Sequence, residues 1–558
     1  MQRLNTDLCA IMAITTVWVI AILLVNPRGN FPLNDDWCYG KAVVNLIRHH
    51  EIRFVGITTM TLIAQVLWGA LFCLIFGMSF TSLRISTLAL GLAGVLAVYG
   101  LLREIGVPRW IAMVGALVLA LNPLYVSLSN TFMTDVPFAA LAFLSIYAYV
   151  RALRRESSGM IVLGTAFACI AVLIRQFGII LPIGFGLAHL VKNGVRVRSL
   201  AAVVLPTIVT GALLIGFVQG LKAAHRLPSY YSTQAHYLEK FLALGFAACL
   251  SKTFVVIGTL YLYLGLFVLP FVVLTFPRTW SRLTHRQRTI NGWISGASMF
   301  AALCVLVPDG EWMPTKHAQG DTLFDLGLGA PTLGDIFRLA QPNLHIGPEW
   351  FWIMVTVGSV IGGGLLLWHL MAAAELLAER HGGASATDKG LIVLLTSITV
   401  MYLAPIIPLT VFTYFDRYFL CAVPLLIALA VLTTDSLAKP NRRLIAVSVV
   451  IIMLYGCYSV AGTHDYLSWN RLRWHIAGKM MRQYDLTPQD IDGGYEFNGW
   501  YNYQENNPRQ TWWRHERDYF MITFGRVPNY DIMERFTYRR WLPPGEGELL
   551  FLRRSDIL

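Results

Sequence analysis

Charge is scarce in this sequence. Only 14% of its 558 residues are Asp, Glu, Lys or Arg, whereas 56% are apolar. A water-soluble chain of that length needs more charge to cover its surface, so lipid is the expected solvent. Cysteine is absent from the C-terminal region: the eight cysteines fall at 9, 38, 73, 169, 249, 304, 421 and 457. That region is therefore not stapled by disulfides, even in an oxidising compartment. No CxxC or Cys/His zinc spacing occurs, and neither GxGxxG nor a P-loop supplies a nucleotide-phosphate cradle. No internal repeat of the kind found in inverted-repeat transporters is visible. The formal net charge of +12 does not mark a nucleic-acid partner. Its basic residues gather at the ends of apolar runs, as topology signals do.

Those apolar runs are what the sequence has in abundance. A helix needs about 20 apolar residues to cross the hydrocarbon core. Runs of this kind predict thirteen spans, near 8–25, 81–101, 110–129, 136–152, 159–175, 178–191, 199–219, 253–275, 291–308, 350–372, 391–410, 418–434 and 442–460. The first lacks a small-x-small cleavage site and reads as a retained span. The run 57–78 reads as a membrane-surface or re-entrant segment, because counting it as a span scatters the basic clusters over both faces. Without it, Arg103 and Arg109, Arg151 to Arg155, Lys192 to Arg198, Arg278 to Arg288, Arg380 and Lys389, and Lys439 to Arg443 share one side. By the positive-inside rule that side is cytoplasmic. The expected protein is polytopic and α-helical, in a bacterial inner membrane, with its N-terminus cytoplasmic and its C-terminus periplasmic. Residues 1–460 form the membrane domain and 461–558 a small α+β extracytoplasmic domain, with turn signals such as Asp492-Gly493-Gly494 and strand-like runs such as Glu548–Leu552.

Chemistry concentrates on the outer side. Loop 26–56 carries the adjacent carboxylates Asp35 and Asp36, suited to general-base work or to metal binding, or to capping a helix that starts at Trp37. Asp135 precedes Val136-Pro137 at the outer end of a hairpin, where a cap is the simpler reading. Arg175 lies between two apolar spans, where a lone cation marks function by default. In Phe412-Thr-Tyr-Phe-Asp-Arg-Tyr418, Arg417 and Tyr418 suit a phosphate, or else an interfacial aromatic belt with a snorkelling arginine. Glu51 and His236, the latter near Glu239, are weak candidates for a divalent metal. Trp500, Tyr501, Tyr503, Trp512 and Trp513 fit a domain core better than a sugar-stacking surface.

In combination these stretches resemble the GT-C glycosyltransferases, specifically relatives of the protein O-mannosyltransferases and lipid A aminoarabinose transferases (glycosyltransferase family 39). Asp35-Asp36 stands where that family keeps its catalytic aspartate. Phe132-Met-Thr-Asp-Val-Pro137 is similar to its Thr-Asp/Glu-x-Pro hairpin, and Asp416-Arg-Tyr-Phe-Leu-Cys-Ala-Val-Pro424 to its late Arg-Tyr-leading span. Leu67–Leu102, with Phe76-Gly77 and Leu83-Arg84, resembles its early region. The chain departs from many relatives at Val55–Leu62, where a Lys-Pro-Pro-Leu-like motif has no counterpart. The resemblance implies transfer of a sugar from a polyprenyl-phosphate donor to a glycan, lipid or protein acceptor, with inversion. It implies Asp35 or Asp36 as base, Arg175 and Arg417 on the leaving phosphate, and Asp135 positioning the acceptor or a divalent cation. The competing class is a transporter or flippase of a lipid-linked glycan, which requires charges near the bilayer midplane.

Overall fold

A computed structural model of the chain describes residues 2–232, 235–306, 312–313, 322–324, 332–339, 348–378, 385–411, 414–434, 441–505 and 518–556. From the N-terminus run α1 (Gln2–Val25), α2 (Asp36–His49), α3 (Ile63–Phe76), α4 (Phe80–Ile105), α5 (Arg109–Ala120), α6 (Pro123–Ser129) and α7 (Asp135–Arg155). Next come α8 (Ser158–Val172), α9 (Ile180–Asn193), α10 (Val197–Ala223), α11 (Ala235–Leu242), α12 (Phe246–Arg282) and α13 (His285–Leu306). The chain continues through α14 (Gly334–Phe337), α15 (Glu349–Ala378), α16 (Ala386–Leu403), α17 (Ile406–Leu409), α18 (Ala422–Leu432), α19 (Arg442–Gln483) and α20 (Tyr495–Asn502).

Among the described residues, nine helices are long and apolar enough to cross a membrane, or ten if α5 and α6 form one bent span. The runs 159–175, 178–191 and 418–434 yield shorter helices, α8, α9 and α18, of 15, 14 and 11 residues, each joining the basic end of the bundle to the end that carries Arg175 and Arg417. An apolar run does not reveal whether lipid or protein surrounds it. Helix α18 is apolar because it is enclosed by protein: every residue from Ala422 to Val431 is buried. The bend of 61° between α5 and α6 falls where Asn122 caps α6 through its side chain and Pro123 starts the new helix. Helix α3, inside the run set aside from the spans, has 14 residues and stays at one end of the bundle, with Gln65 near its start bonded to Phe132 and Phe80 just past its end bonded to Asn30.

The expected boundary at 460/461 falls inside a helix. Helix α19 runs unbroken for 42 residues, about 63 Å at 1.5 Å per residue. The polarity change near 460 marks where this helix leaves its apolar surroundings, not where it ends. Beyond it stand β1 (Ile491–Asp492), β2 (Phe520–Thr523), β3 (Tyr530–Trp541) and β4 (Pro544–Arg554) in the order β1-β2-β4-β3. The β1–β2 pair is parallel and the others antiparallel. Ile522, Leu549 and Phe551 pack with Ile476 and Met480 of α19, while Met521, Leu550 and Leu552 form a second small core with Val527.

Two polar ties fix loop 26–56. Arg84, fully buried in α4, donates to the carbonyls of Pro27, Gly29 and Phe31 and lies over the Phe31 ring at 4.6 Å. Asp36, also without exposure, accepts from the Leu33 N–H and from the Phe132 N–H at 3.1 Å. Its carboxylate therefore joins the loop to the 130–135 hairpin. Burial pushes the Asp36 carboxyl up to about 7, with Arg84 and the two N–H donors pulling the other way.

The C-terminal unit holds the same loop from above. Glu496 accepts from the Asn34 N–H at 2.9 Å and pairs with Arg473 of α19 at 2.9 Å, both side chains fully buried. Lys41 donates to the Gly499 carbonyl at 3.1 Å and faces the rings of Trp37, Trp500 and Tyr503. Trp500 and Tyr503, partly buried, pack against Phe80 and Trp37, and the exposed Tyr501 lies against Trp474 and Phe497. Trp512 and Trp513 lie outside the described residues, as do Phe412, Thr413, Arg380 and Lys439.

Two stability measurements test these ties. Glu496→Ala strands the Arg473 guanidinium, a loss of about 3–5 kcal/mol for a buried pair, read as a lower melting temperature in detergent. Asp36→Asn turns an amide N–H toward one of two backbone N–H groups, a loss of about 1–3 kcal/mol. A carboxyl whose folded pKa lies above its unfolded value stabilises the fold below the unfolded pKa. That stability is lost as pH rises from about 4 to about 7. The gap between wild type and Asp36→Asn, which has nothing to titrate there, should narrow across that window.

Candidate active site

The segments that carry the expected site residues meet at one end of the bundle. Residues 58–65 run along the end of α8: Leu62 N–H bonds the Ile174 carbonyl, Ala64 N–H that of Leu173, and Gln176 Nε2 the Thr59 carbonyl. Gln65 Nε2 reaches the Phe132 carbonyl at 2.6 Å. The basic clusters lie at the opposite end, where Arg103 pairs with Asp7, Arg155 with Glu104 and Lys192 with Glu156.

The adjacent carboxylates have separate surroundings. Asp36 is enclosed and committed to backbone donors, whereas the Asp35 side chain is 30% exposed. Neither caps α2: Asp35 stands at the N-cap position without a side-chain cap bond. Instead Asp35 Oδ1 accepts from Tyr495 Oη at 2.7 Å, and Oδ2 lies 3.7 Å from Arg417 Nη2. Tyr495 comes from α20, 460 residues away in sequence.

Asp135 and Arg175 form a buried ion pair at 2.9 Å, and Arg175 Nε also donates to Thr134 Oγ1 at 2.7 Å. Asp135 is thus engaged by Arg175 rather than serving as a side-chain cap. Arg417 is buried, stacks over Phe415 at 4.4 Å and faces Tyr418 at 5.9 Å. It interacts electrostatically with Asp135, Asp35, Tyr418 and Tyr39. Arg175 does so with Asp135, Tyr402, Tyr418 and Tyr39. The site therefore holds two arginines and two aspartates with a tyrosine-rich wall. The preceding residue, Asp416, is buried and accepts from the Leu323 N–H at 2.9 Å, fixing the turn that presents Arg417. Tyr414, two residues earlier, lines a cavity of about 380 Å³ with Thr410 and Lys252.

The weak metal candidates stand apart from this cluster of charges. Glu51 pairs with Arg226 at 3.6 Å, and His236 faces Glu239 at 3.5 Å on an exposed helix turn. Among the described residues no three His, Cys, Asp or Glu side chains come together. Glu51 and His236 thus lack, among the described residues, the third such ligand a protein-held metal centre needs.

Sequence reasoning missed Tyr495, Glu496 and Lys41, and cited Arg84 only as part of a motif. Arg84 had a usable signal: it is a lone cation within a long apolar helix. Tyr495 and Glu496 had none, because their roles depend on a fold-back across most of the chain.

Residues 65–219 match the model of a family described as dolichyl-phosphate-mannose-protein mannosyltransferase. No curated protein matches the chain. Among solved structures, it is similar to an Archaeoglobus fulgidus oligosaccharyltransferase in the apo form, at 16% identity and a TM-score of 0.40. That match covers 81% of this chain and 56% of the archaeal one. ArnT from Cupriavidus metallidurans bound to undecaprenyl phosphate matches at 11% identity and a TM-score of 0.40, over 99% of this chain and 98% of its own. The arabinosyltransferase EmbB from Mycobacterium smegmatis matches at 12% identity and a TM-score of 0.29, over 82% and 42%. The resemblance to the GT-C glycosyltransferases of family 39 is thus matched by a family model over residues 65–219.

Proposed function

We propose that this protein transfers a sugar from a polyprenyl-phosphate carrier to an acceptor hydroxyl at the outer, periplasmic face of the membrane. The observation that carries the reading is the partly exposed Asp35 carboxylate 3.7 Å from the buried Arg417, which also interacts with Asp135 of the buried Asp135–Arg175 pair, at one end of an apolar bundle. A lipid-linked donor accounts for the site's place at the end of a membrane bundle, with no nucleotide fold required. Asp35 takes the proton of the acceptor hydroxyl. The hydroxyl oxygen bonds to the anomeric carbon as the bond to the carrier phosphate breaks, and the electron pair leaves on the phosphate. A single displacement of this kind inverts the anomeric centre.

Arg417 and Arg175 meet the charge that grows on the phosphate, in a setting where low polarity strengthens the interaction. Arg417 is the better placed of the two, because Arg175 is held by Asp135 and Thr134. Asp135 then acts by holding Arg175. The buried carboxylates and guanidiniums of this region sit at the bundle's end rather than at mid-depth, which favours surface chemistry over translocation of a lipid-linked glycan.

The test is a transfer assay with the purified protein in detergent, a panel of radiolabelled polyprenyl-phosphate sugars and membrane extract as acceptor. Wild type should move label from one donor. Asp35→Asn should lower kcat by at least about a hundredfold, the range for loss of a general base, without loss of membrane insertion. Arg417→Ala should lower it by about a hundredfold, as for loss of one charge-stabilising donor. Donor binding without transfer by wild type would overturn the reading in favour of a flippase or a carrier-binding relative.

A further inference from the structure

The C-terminal unit does more than cover the site. Its helix α20 follows Gly494 at the N-cap, whose φ of +92° suits glycine, and its first residue, Tyr495, delivers a hydroxyl to Asp35. The seat of this helix is tightly determined. Glu496 joins the Asn34 N–H to Arg473, and Gly499 lies so close to Trp37 that an added Cβ would meet the indole at 2.5 Å. Tyr495 is therefore placed by three neighbouring ties rather than by its own contact alone.

The two oxygens of Asp35 are not equivalent. Oδ1 receives the Tyr495 hydroxyl at 2.7 Å, while the Arg417 nitrogen nearest Oδ2 is 3.7 Å away, beyond direct hydrogen-bond length. We infer that Tyr495 is a positioning residue for the proposed transfer, holding Asp35 by Oδ1 so that Oδ2 is the atom that takes the acceptor's proton. This rests on the transferase reading. In that arrangement the hydroxyl proton passes to Oδ2 as the new glycosidic bond forms and the bond to phosphate breaks. Tyr495 keeps its own proton throughout and touches neither donor nor acceptor. Part of the active site thus lies on the soluble unit, brought to the membrane loop by chain folding.

Tyr495→Phe in the full-length protein removes one oxygen and leaves the ring that fills the space. Its kcat should fall roughly ten- to a hundredfold, the equivalent of one hydrogen bond to a charged group. Donor KM should stay within about twofold, since ground-state binding is not touched, and the protein should still fold and insert. An unchanged kcat, or a donor KM raised in step with the fall in kcat, would overturn the inference. A double-mutant cycle gives a second reading: added to Asp35→Asn, Tyr495→Phe should change the residual rate by less than about twofold. A further multiplicative loss would show that Tyr495 acts elsewhere. Wild type that transfers nothing would overturn both the transferase reading and this inference, whereas active wild type with equally active Tyr495→Phe overturns this inference alone.

Discussion

Asp36 places a carboxylate where water does not reach, and the arrangement of this end of the protein depends on satisfying it. A buried acceptor without donors is costly, so the loop and the 130–135 hairpin must each bring a backbone N–H to its oxygens. Arg84 adds a buried cation on the same loop and spends its own donors on the carbonyls of Pro27, Gly29 and Phe31. Loop 27–36 therefore has little freedom to move away from the bundle. Asp35, the next residue along the same backbone, inherits that rigidity while keeping a side chain open to a substrate. On the proposed reading, one carboxylate of the pair is structural and the other chemical.

The charges around Asp35 balance in a way that suits a phosphate leaving group. Arg175 has a close partner in Asp135, and its remaining bond goes to Thr134. Among the described residues Arg417 has a longer ion pair with Asp35, an electrostatic interaction with Asp135, and lies on the Phe415 ring. An arginine stacked on an aromatic face keeps its edge donors directed outward, toward whatever anion enters. As Asp35 gains a proton in the proposed step, its attraction for Arg417 falls just as charge grows on phosphate. The same guanidinium can then serve both states without moving far.

Much of this was legible before the fold. Hydropathy and the positive-inside pattern placed Asp35, Asp36, Asp135, Arg175 and Arg417 on one side, and the structure brings the segments that carry them to one end. The sequence could not separate Asp35 from Asp36, because burial is decided by the hairpin that closes over Asp36. It could not foresee how short α8, α9 and α18 are, because a run's apolar length does not give the length of its helix. Tyr495 and Glu496 were invisible for another reason. A tyrosine and a glutamate in a polar C-terminal stretch look like surface until the stretch folds back onto a loop near the N-terminus.

The unbroken α19 limits how substrates can reach the site. A C-terminal unit joined by a flexible linker could swing aside to admit an acceptor. The helix instead carries Arg473 directly from the bundle to Glu496, so lifting α20 would expose or strand a fully buried ion pair. Breaking such a pair costs about 3–5 kcal/mol, and bending the helix would add to that. On the proposed reading, entry by the exposed flank of Asp35 is therefore favoured over domain opening. The donor, confined to lipid, would then approach from the bundle side and the acceptor from the aqueous side. Asp35 stands between these two approaches, which is where a base for transfer across a membrane surface has to be.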